Sequence, residues 1–455
     1  ERISRRTTRE WEIRPEVALN YERTFGQKHS VEGLALFEYI ESKYQEVNAE
    51  RDGLFTTELP YLFAGELDQV TNGGFANEAG RVSYVGRAQY GYDDRYTIEA
   101  TMRADASHKF PEESRWGYFP SVSAAWTLSE EAFIQETAVG DALSQLKLRL
   151  SYGQAGDDDV GAYQHLQGFF IRSYPRVIGG TSRRIISEGG LPNEEITWRT
   201  MTTYNAGLDV TLWEGLLSAT MDVYQRNSVD LFGEPQADYP RTFGADLPQL
   251  NINSTRTRGF ELELGHDYQI GELSYSVDGN LTVSSREWTD YSEPEYDTEA
   301  ERRVFKNEGK NLNRRVGYVA VGMFESQDEI DSWDVDQDGN GNSTLRPGDI
   351  KYKDLNGDGE ITQLDQKRIG YGSYPDMTYA LNVGANYKGF ALNAQFQGAS
   401  RFTIQVSDIA RVPYFNESTP FKYHYEHRWT PDNPESDTPT NTNPDAQIPY
   451  VDATG

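Results

Sequence analysis

RYTIEATMRADA, residues 95–106, decides the fold. Tyr96, Ile98, Ala100, Met102 and Ala104 interleave with Arg95, Thr97, Glu99, Thr101, Arg103 and Asp105. Successive side chains of a strand point to opposite faces, so this run carries one apolar and one charged face. Leu146, Leu148, Leu150 and Tyr152 alternate in the same way with Lys147, Arg149 and Ser151. Tyr204, Ala206, Leu208, Val210 and Leu212 alternate with Asn205, Asp209 and Thr211, and residues 273–283 and 379–387 repeat the pattern. These runs approach the roughly 9–11 residues with which a tilted strand crosses a bilayer. Strands of soluble domains average about 5–6.

Working outward, about twelve such strands fall near residues 11–23, 29–44, 80–92, 95–106, 116–127, 143–155, 201–212, 216–228, 255–268, 273–286, 374–387 and 390–400. The links between them alternate in length. Gly26-Gln27-Lys28, Asp93-Asp94, Trp213-Glu214-Gly215, Ile270-Gly271 and Lys388-Gly389 are tight turns. Residues 45–79, 156–200, 229–254, 287–373 and everything after 400 form long links. The link at 107–115 is modest, and SEEAFIQETAVGDAL in the medium link at 128–142 has room for one helix. Short turns on one side and long loops on the other are the arrangement of outer-membrane barrels, with the long loops outside. The expected fold is therefore all-β, a transmembrane antiparallel β-barrel. A soluble β-helix would carry a fixed short repeat, and none is found.

Composition agrees. The 455 residues are 37% hydrophobic and 13% aromatic, with 29 Tyr and 8 Trp. Amphipathic rings are favoured where lipid meets water. Mean hydropathy is -0.72. The longest nearly apolar run, VGYVAVGMF at 316–324, falls far short of the roughly 18 residues of a spanning helix. With no cysteine there is neither a disulfide framework nor a thiolate metal site. A formal net charge of -29 repels nucleic acid and disfavours anionic polysaccharides, unless a local patch overrides the sum. No apolar leader segment is present in ERISRRTTREWE at the N-terminus.

The sharpest chemical motif lies in the link at 287–373. Asp354, Asn356, Asp358, Gly359, Glu360, Thr362 and Asp365 fit the calcium-loop pattern D-x-[DN]-x-[DN]-G-x5-E, with Asp365 replacing the final Glu. Oxygens at alternate positions converge on one hard cation, Gly359 permits the turn, Glu360 offers its carbonyl, and the last carboxylate closes the shell. The shorter Asp365 weakens bidentate closure. The expected role is a structural Ca2+ in an extracellular loop; an ion-free acidic turn is the alternative. A second stretch, Asp334, Asp336, Asp338, Gly339, Asn340 and Asn342, begins alike, but its twelfth place is Leu345 and an ion-free acidic loop is the better reading. His424 and His427 flank Glu426 in an aromatic loop and read as packing rather than as ligands. Trp116, Tyr118 and Phe119 read as an external girdle or rim; Tyr152, Tyr204, Trp213 and Tyr387 include lipid-facing members of either girdle. Tyr163, Phe169, Tyr174 and Tyr414 are candidates for stacking on sugar. No G-x-S-x-G, Walker A or H-E-x-x-H motif appears, and no catalytic residue is assigned.

Six further segments stand out: RWGYFPSVSAAWTLSEEAF (115–133), LKLRLSYGQAG (146–156), LPNEEITWRTMTTYNAGLDV (191–210), NSTRTRGFELEL (253–264), PGDIKYKDLNGDGEIT (347–362) and YEHRWTPDNP (425–434). In that order they resemble the SusC/RagA family of TonB-dependent outer-membrane transporters of Bacteroidota. The resemblance implies a barrel of about 22 strands with a plugged lumen, to which residues 1–455 would contribute about half the wall. The plug, the TonB box and the final strands would lie outside these residues. It also implies a Gram-negative outer membrane, import of oligomeric nutrients (glycans or, as in the RagA branch, oligopeptides), and no bond chemistry. The implied partners are a SusD-type surface lipoprotein lid, TonB-ExbB-ExbD acting through the plug, outer-membrane lipid, and a second SusC–SusD-type pair in a dimer. The alternative is a barrel recruited as a scaffold within a larger outer-membrane assembly.

Overall fold

The computed structural model describes residues 2–137, 140–172, 176–235, 247–411, 413, 415–432, 440–443 and 446–449. Strands β1 (Arg2–Ile13), β2 (Glu16–Phe25), β3 (His29–Asp52), β4 (Val70–Tyr92), β5 (Tyr96–Ser107), β6 (Trp116–Thr127) and β7 (Leu143–Asp157) open the chain, with a four-residue α1 (Ala132–Gln135) before β7. Short strands β8 (Phe169–Ile171), β9 (Arg176–Ile178), β10 (Thr181–Arg183) and β11 (Ile186–Glu188) lie in the next link. Long strands resume with β12 (Arg199–Leu212), β13 (Leu217–Gly233), β14 (Leu250–Ile270) and β15 (Leu273–Asp290). A second insertion holds α2 (Glu299–Val304), β16 (Arg314–Gly317), β17 (Ala320–Met323), α3 (Gln327–Asp331), β18 (Ile350–Tyr352) and β19 (Lys367–Tyr371). Strands β20 (Met377–Tyr387) and β21 (Phe390–Ser400) follow, then α4 (Lys422–His427). The long strands form one thirteen-stranded sheet in the order β1-β3-β4-β5-β6-β7-β12-β13-β14-β15-β20-β21, with β2 also on β3.

The chain divides into two compact units, residues 1–278 with 383–392, and residues 279–382 with 393–455. In the first unit the register shows what the sequence alternation means. Along β5, Tyr96, Ile98 and Met102 are exposed (40%, 53% and 44%), while Thr97, Glu99 and Arg103 between them are half-buried. Val122, Leu150, Tyr204 and Val223 on other strands are likewise exposed, and Ser83 and Asp105 are buried. The pattern is inverted relative to a soluble sheet: the apolar face is outward. The inward face satisfies its charges laterally. Arg149 reaches Asp209 at 2.8 Å and Asp222 at 2.9 Å across β7, β12 and β13. Its guanidinium lies over Gly207, where an added Cβ would stand 2.6 Å from Arg149 Cζ.

Two features differ from the sequence reading. The single strand expected over 11–23 is two segments in one unbroken register: Ile13 faces Glu41 and Glu16 faces Glu38. Pro15 interrupts it because it has no N–H to give to the ladder, although its carbonyl still accepts from Tyr39 N–H at 3.1 Å. Strands β3 and β4 also run much further than 29–44 and 80–92, pairing from His29↔Tyr92 to Arg51↔Val70. QEVNAERD and VTNGGFANEA at their far ends lack apolar alternation, since a strand that has left the lipid needs none.

Where β5, β6, β7 and β12 reach their long-link ends, a small core forms from Phe110, Phe119, Val160, Ile196 and Trp198. A Cβ on Gly156 would lie 1.8 Å from the Phe119 ring and one on Gly117 2.3 Å, so both positions need glycine. Trp198 Nε1 donates to the Arg115 carbonyl at 3.1 Å. Trp116 and Tyr118 point to the exposed face while Phe119 turns into this core. Replacing Met102, in the middle of β5 on its exposed face, by Arg in the protein folded into lipid vesicles is expected to cost roughly 2–4 kcal/mol. Thr97→Arg, on the opposite face, should change stability by under about 0.5 kcal/mol. Denaturant titration followed by Trp fluorescence checks both, and equal small effects would refute the outward apolar face.

Candidate functional site

The candidate metal loop lies in the second unit, between β18 and β19. Its far end is held by α2, whose start is capped reciprocally by Thr298 and Glu301. From that helix the Arg303 guanidinium donates to the Gln366 carbonyl at 3.1 Å and to the Leu364 carbonyl. Arg303 thereby fixes the chain on both sides of Asp365.

Asp365 has no exposed surface. Its Oδ1 accepts from the N–H groups of Leu355 (2.8 Å) and Asn356 (3.3 Å), and its Oδ2 from Thr362 N–H (2.8 Å). The Thr362 hydroxyl also donates to Oδ2 at 3.4 Å and accepts from Leu364 N–H at 3.2 Å. Asp354 accepts from Gly357 N–H (2.6 Å) and Gly359 N–H (3.0 Å). Asp358 accepts from Glu360 N–H at 3.0 Å and from the Asn356 side-chain amide at 2.6 Å. Gly357 and Gly359 have φ of +79° and +88°, the left-handed region that glycine reaches without a Cβ clash. Asp354, Asp358 and Asp365 each bring one carboxylate oxygen within 4.8 Å of the others. Ca–O distances of about 2.3–2.6 Å put opposite ligands of one ion at most about 5 Å apart, so the three oxygens fit one shell.

Of the other positions, Glu360 turns its side chain to solvent. A bridge to the neighbouring loop uses the Gly359 carbonyl and Ile361 N–H, each paired with Asp336 (2.8 and 2.9 Å), and so leaves the Glu360 carbonyl outside it. That neighbouring loop is built two residues away from its sequence reading. Asp336, not Asp334, accepts from the N–H groups three and five residues on, Gly339 (2.8 Å) and Gly341 (3.0 Å), as Asp354 does. Asp338 accepts from the N–H groups of Asn340, Asn342 and Thr344 and from the Thr344 hydroxyl at 2.6 Å. Gln337 clamps β18 by donating to the Ile350 carbonyl and accepting from Tyr352 N–H. Under the pair of loops, Lys351 lies over the rings of Trp333 (4.9 Å) and Phe324 (5.5 Å) and ion-pairs with Glu329.

His424 is buried with Nε2 on the Ala410 carbonyl (3.0 Å) and Nδ1 accepting from Phe421 N–H (3.3 Å), so backbone occupies both ring nitrogens. His427 packs against the Tyr423 ring, 4.8 Å between centroids. Tyr163 and Phe169 are exposed on the link between β7 and β12; Tyr174 and Tyr414 lie outside the described residues.

A wide antiparallel sheet with apolar residues outward, tight turns at one end and elaborate insertions at the other defines a membrane β-barrel protein. The family described as TonB dependent receptor-like, beta-barrel matches residues 4–395, and the chain belongs to that family. It is 29% identical to the TonB-dependent receptor SusC of Bacteroides thetaiotaomicron over 319 residues, covering 67% of this chain and 31% of SusC. It is 25% identical to TonB-dependent receptor P26 of Formosa agariphila over 441 residues, 93% of this chain and 42% of that protein. The RagAB peptide transporter matches in fold with a TM-score of 0.75 at 22% identity, over 99% of this chain and 47% of that one. The chain thus spans about two fifths of the length of the curated relatives it matches.

Loss of hydration raises the Asp354 carboxyl, but the N–H groups of Gly359, Gly357 and Asn356 outweigh this and hold it below its ordinary 3.8. The Thr344 hydroxyl, followed by the N–H groups of Thr344, Asn340 and Asn342, holds Asp338 lower still. A carboxyl depressed in the folded state stabilises above its unfolded value, and that stability is lost as pH falls through the folded one. Amide protection of Gly357, Gly359 and Thr344, corrected for intrinsic exchange, should stay level from pH 7 to about 5 and fall in acid below about 4. Loss already near pH 6 would contradict these roles.

Proposed function

We propose that the chain forms part of the wall and the outer loops of an outer-membrane importer for oligomeric nutrients, glycans or oligopeptides. The observation that carries this reading is the inverted face pattern of β5 and its neighbours, joined to membership of the TonB-dependent receptor family. The fold likeness to the RagAB peptide transporter supports it. On this reading further strands pair with the open edges of β1 and β21, because unpaired edges are not tolerated in hydrocarbon. A plug couples the barrel to TonB-ExbB-ExbD, and a SusD-type lipoprotein covers the outer mouth; the dimer of such pairs belongs to the same reading. The barrel does no bond chemistry. Lumen groups such as Arg149, Asp209 and Asp222 give cargo a polar wall, and the insertions give it a mouth. Deleting the gene should abolish growth on at least one oligomer, measured by uptake of labelled glycans and peptides. Wild-type uptake of every candidate would refute import.

We further propose that Asp354, Asp358 and Asp365, with Asn356, Thr362 and the Glu360 carbonyl, hold a structural Ca2+. Spare lone pairs on the three clustered carboxylates support it. Calcium should raise protection of residues 354–365 against proteolysis, and Asp358→Asn should remove that gain while leaving the apo loop folded. Asp365→Ala should loosen the loop with or without calcium, because it strands three N–H groups at about 1–3 kcal/mol each. Identical digestion with calcium and with chelator would rule the ion out.

A further inference from the structure

The link between β7 and β12 carries a feature that the importer reading leaves unused. Two nested antiparallel pairs make a hairpin: β8 pairs with β11 and β9 with β10. Gly179 and Gly180, at φ +60° and +78°, make the two-residue turn that suits hairpin twist. Arg172 N–H to the Ile185 carbonyl (3.0 Å) and Gly189 N–H to the Gly168 carbonyl (2.7 Å) close its lower rungs. Its root is fixed by Asp158, which binds Arg81 (2.5 Å) and the Ser107 hydroxyl (2.7 Å), and by Val160 and Ile196 in the small core.

The charges on this hairpin oppose the rest of the chain. Residues 169–187 contain Arg172, Arg176, Arg183 and Arg184 and no acidic residue, in a chain of net charge -29. Arg176 stands directly across from Arg183. Like charges in that position destabilise a sheet, with Cα atoms only about 4.5–5.5 Å apart. All four arginines are exposed. Among the described residues no carboxylate lies within ion-pair distance of Arg176, Arg183 or Arg184. Arg172 is held by the Ser187 hydroxyl (2.7 Å) beside the Phe170 ring. Phe169 and Phe170 are 64% and 59% exposed. Two arginines directly opposed on one face of the ribbon can share one planar or tetrahedral anion with several oxygens. The exposed Phe169 and Phe170 rings on β8, with Arg172 beside Phe170, suit the apolar faces of sugar rings.

We propose that this hairpin binds a polyanionic oligosaccharide, one bearing carboxylate or sulfate groups, as an outer contact of the import path. The proposal rests on the importer reading and narrows its cargo. Nucleic acid is a poor fit, because the rest of the chain would repel a long polyphosphate. A narrow two-stranded ribbon offers little area to a folded acidic protein. Phosphorylated sugars of lipopolysaccharide share the chemistry and are separated by the test.

The test uses the full-length protein in detergent, wild type and Arg176→Gln/Arg183→Gln, with unchanged heat-modifiable mobility confirming that both fold. Calorimetry should show a galacturonate hexamer binding the wild type and losing at least about tenfold in affinity in the variant. The same affinity should fall between about 50 and 200 mM salt. Maltohexaose should bind both proteins equally or neither. Unchanged galacturonate affinity in the variant overturns the proposal, as does hexaglutamate binding as tightly as the sugar. So does a variant that loses copurified lipopolysaccharide but keeps the hexamer. Import itself is read separately: the variant strain should still take up neutral cargo, and failure of the hairpin there leaves the importer reading standing.

Discussion

The structure depends on the pairing of backbone N–H and C=O groups between neighbouring strands. In hydrocarbon no water substitutes for a missing partner, so the ladder must satisfy each strand without help from side chains. That requirement frees the side chains for an inverted division: Ile98 and Met102 outward, Arg103 and Asp105 inward. It also explains why the ladder absorbs Pro15 without slipping. One missing donor leaves a gap, but a one-residue slip would send every apolar side chain of β1 and β2 to the polar face. Register is therefore continuous from Ile13↔Glu41 to Glu16↔Glu38.

Beyond the bilayer the ladder continues, but the constraint changes. At the rim of the first unit a small aromatic core takes over, and glycine makes it possible: Phe119 lies where any side chain at 117 or 156 would stand. In the second unit, the paired acidic loops have little apolar surface to bury. Carboxylates therefore organise them, each capping two or more N–H groups, with Asp365 accepting from Leu355, Asn356 and Thr362. These turns make the loops stiff without demanding an ion. A cation would neutralise charge the turns have already gathered.

Much of this was legible in the sequence, and the boundary has a physical basis. Alternation marks the strands only where they cross lipid, because only there must one face be apolar. QEVNAERD and VTNGGFANEA pair just as regularly as their lipid-crossing continuations, yet carry no periodic signal. The calcium-loop pattern located the candidate site and its carboxylates, but not that Asp365 would spend three of its contacts on N–H groups. In the neighbouring loop the run of alternating acids and Asn fits two registers, and only the backbone shows Asp336 in the leading role. Phe119 sits among rim aromatics in the sequence, but its place depends on a core drawn from two separate links, 107–115 and 156–200. The double glycine at 179–180 was an available hairpin signal, obscured by the low apolar periodicity around it.

The same division limits where specificity can reside. Outward residues answer to lipid, and any apolar side chain of suitable size serves. Inward residues near mid-wall, such as Arg149 with its two aspartates, are committed to one another across three strands. On the proposed import reading, groups free to recognise cargo are those the fold does not use: exposed, unpaired, and rooted on something rigid. In the first unit the hairpin beyond Asp158 meets all three conditions. Its opposed Arg176 and Arg183 contribute nothing to the ladder that neutral residues would not contribute better. A charge arrangement that costs the free protein stability, on a scaffold that could dispense with it, is what the proposed anionic ligand would complete.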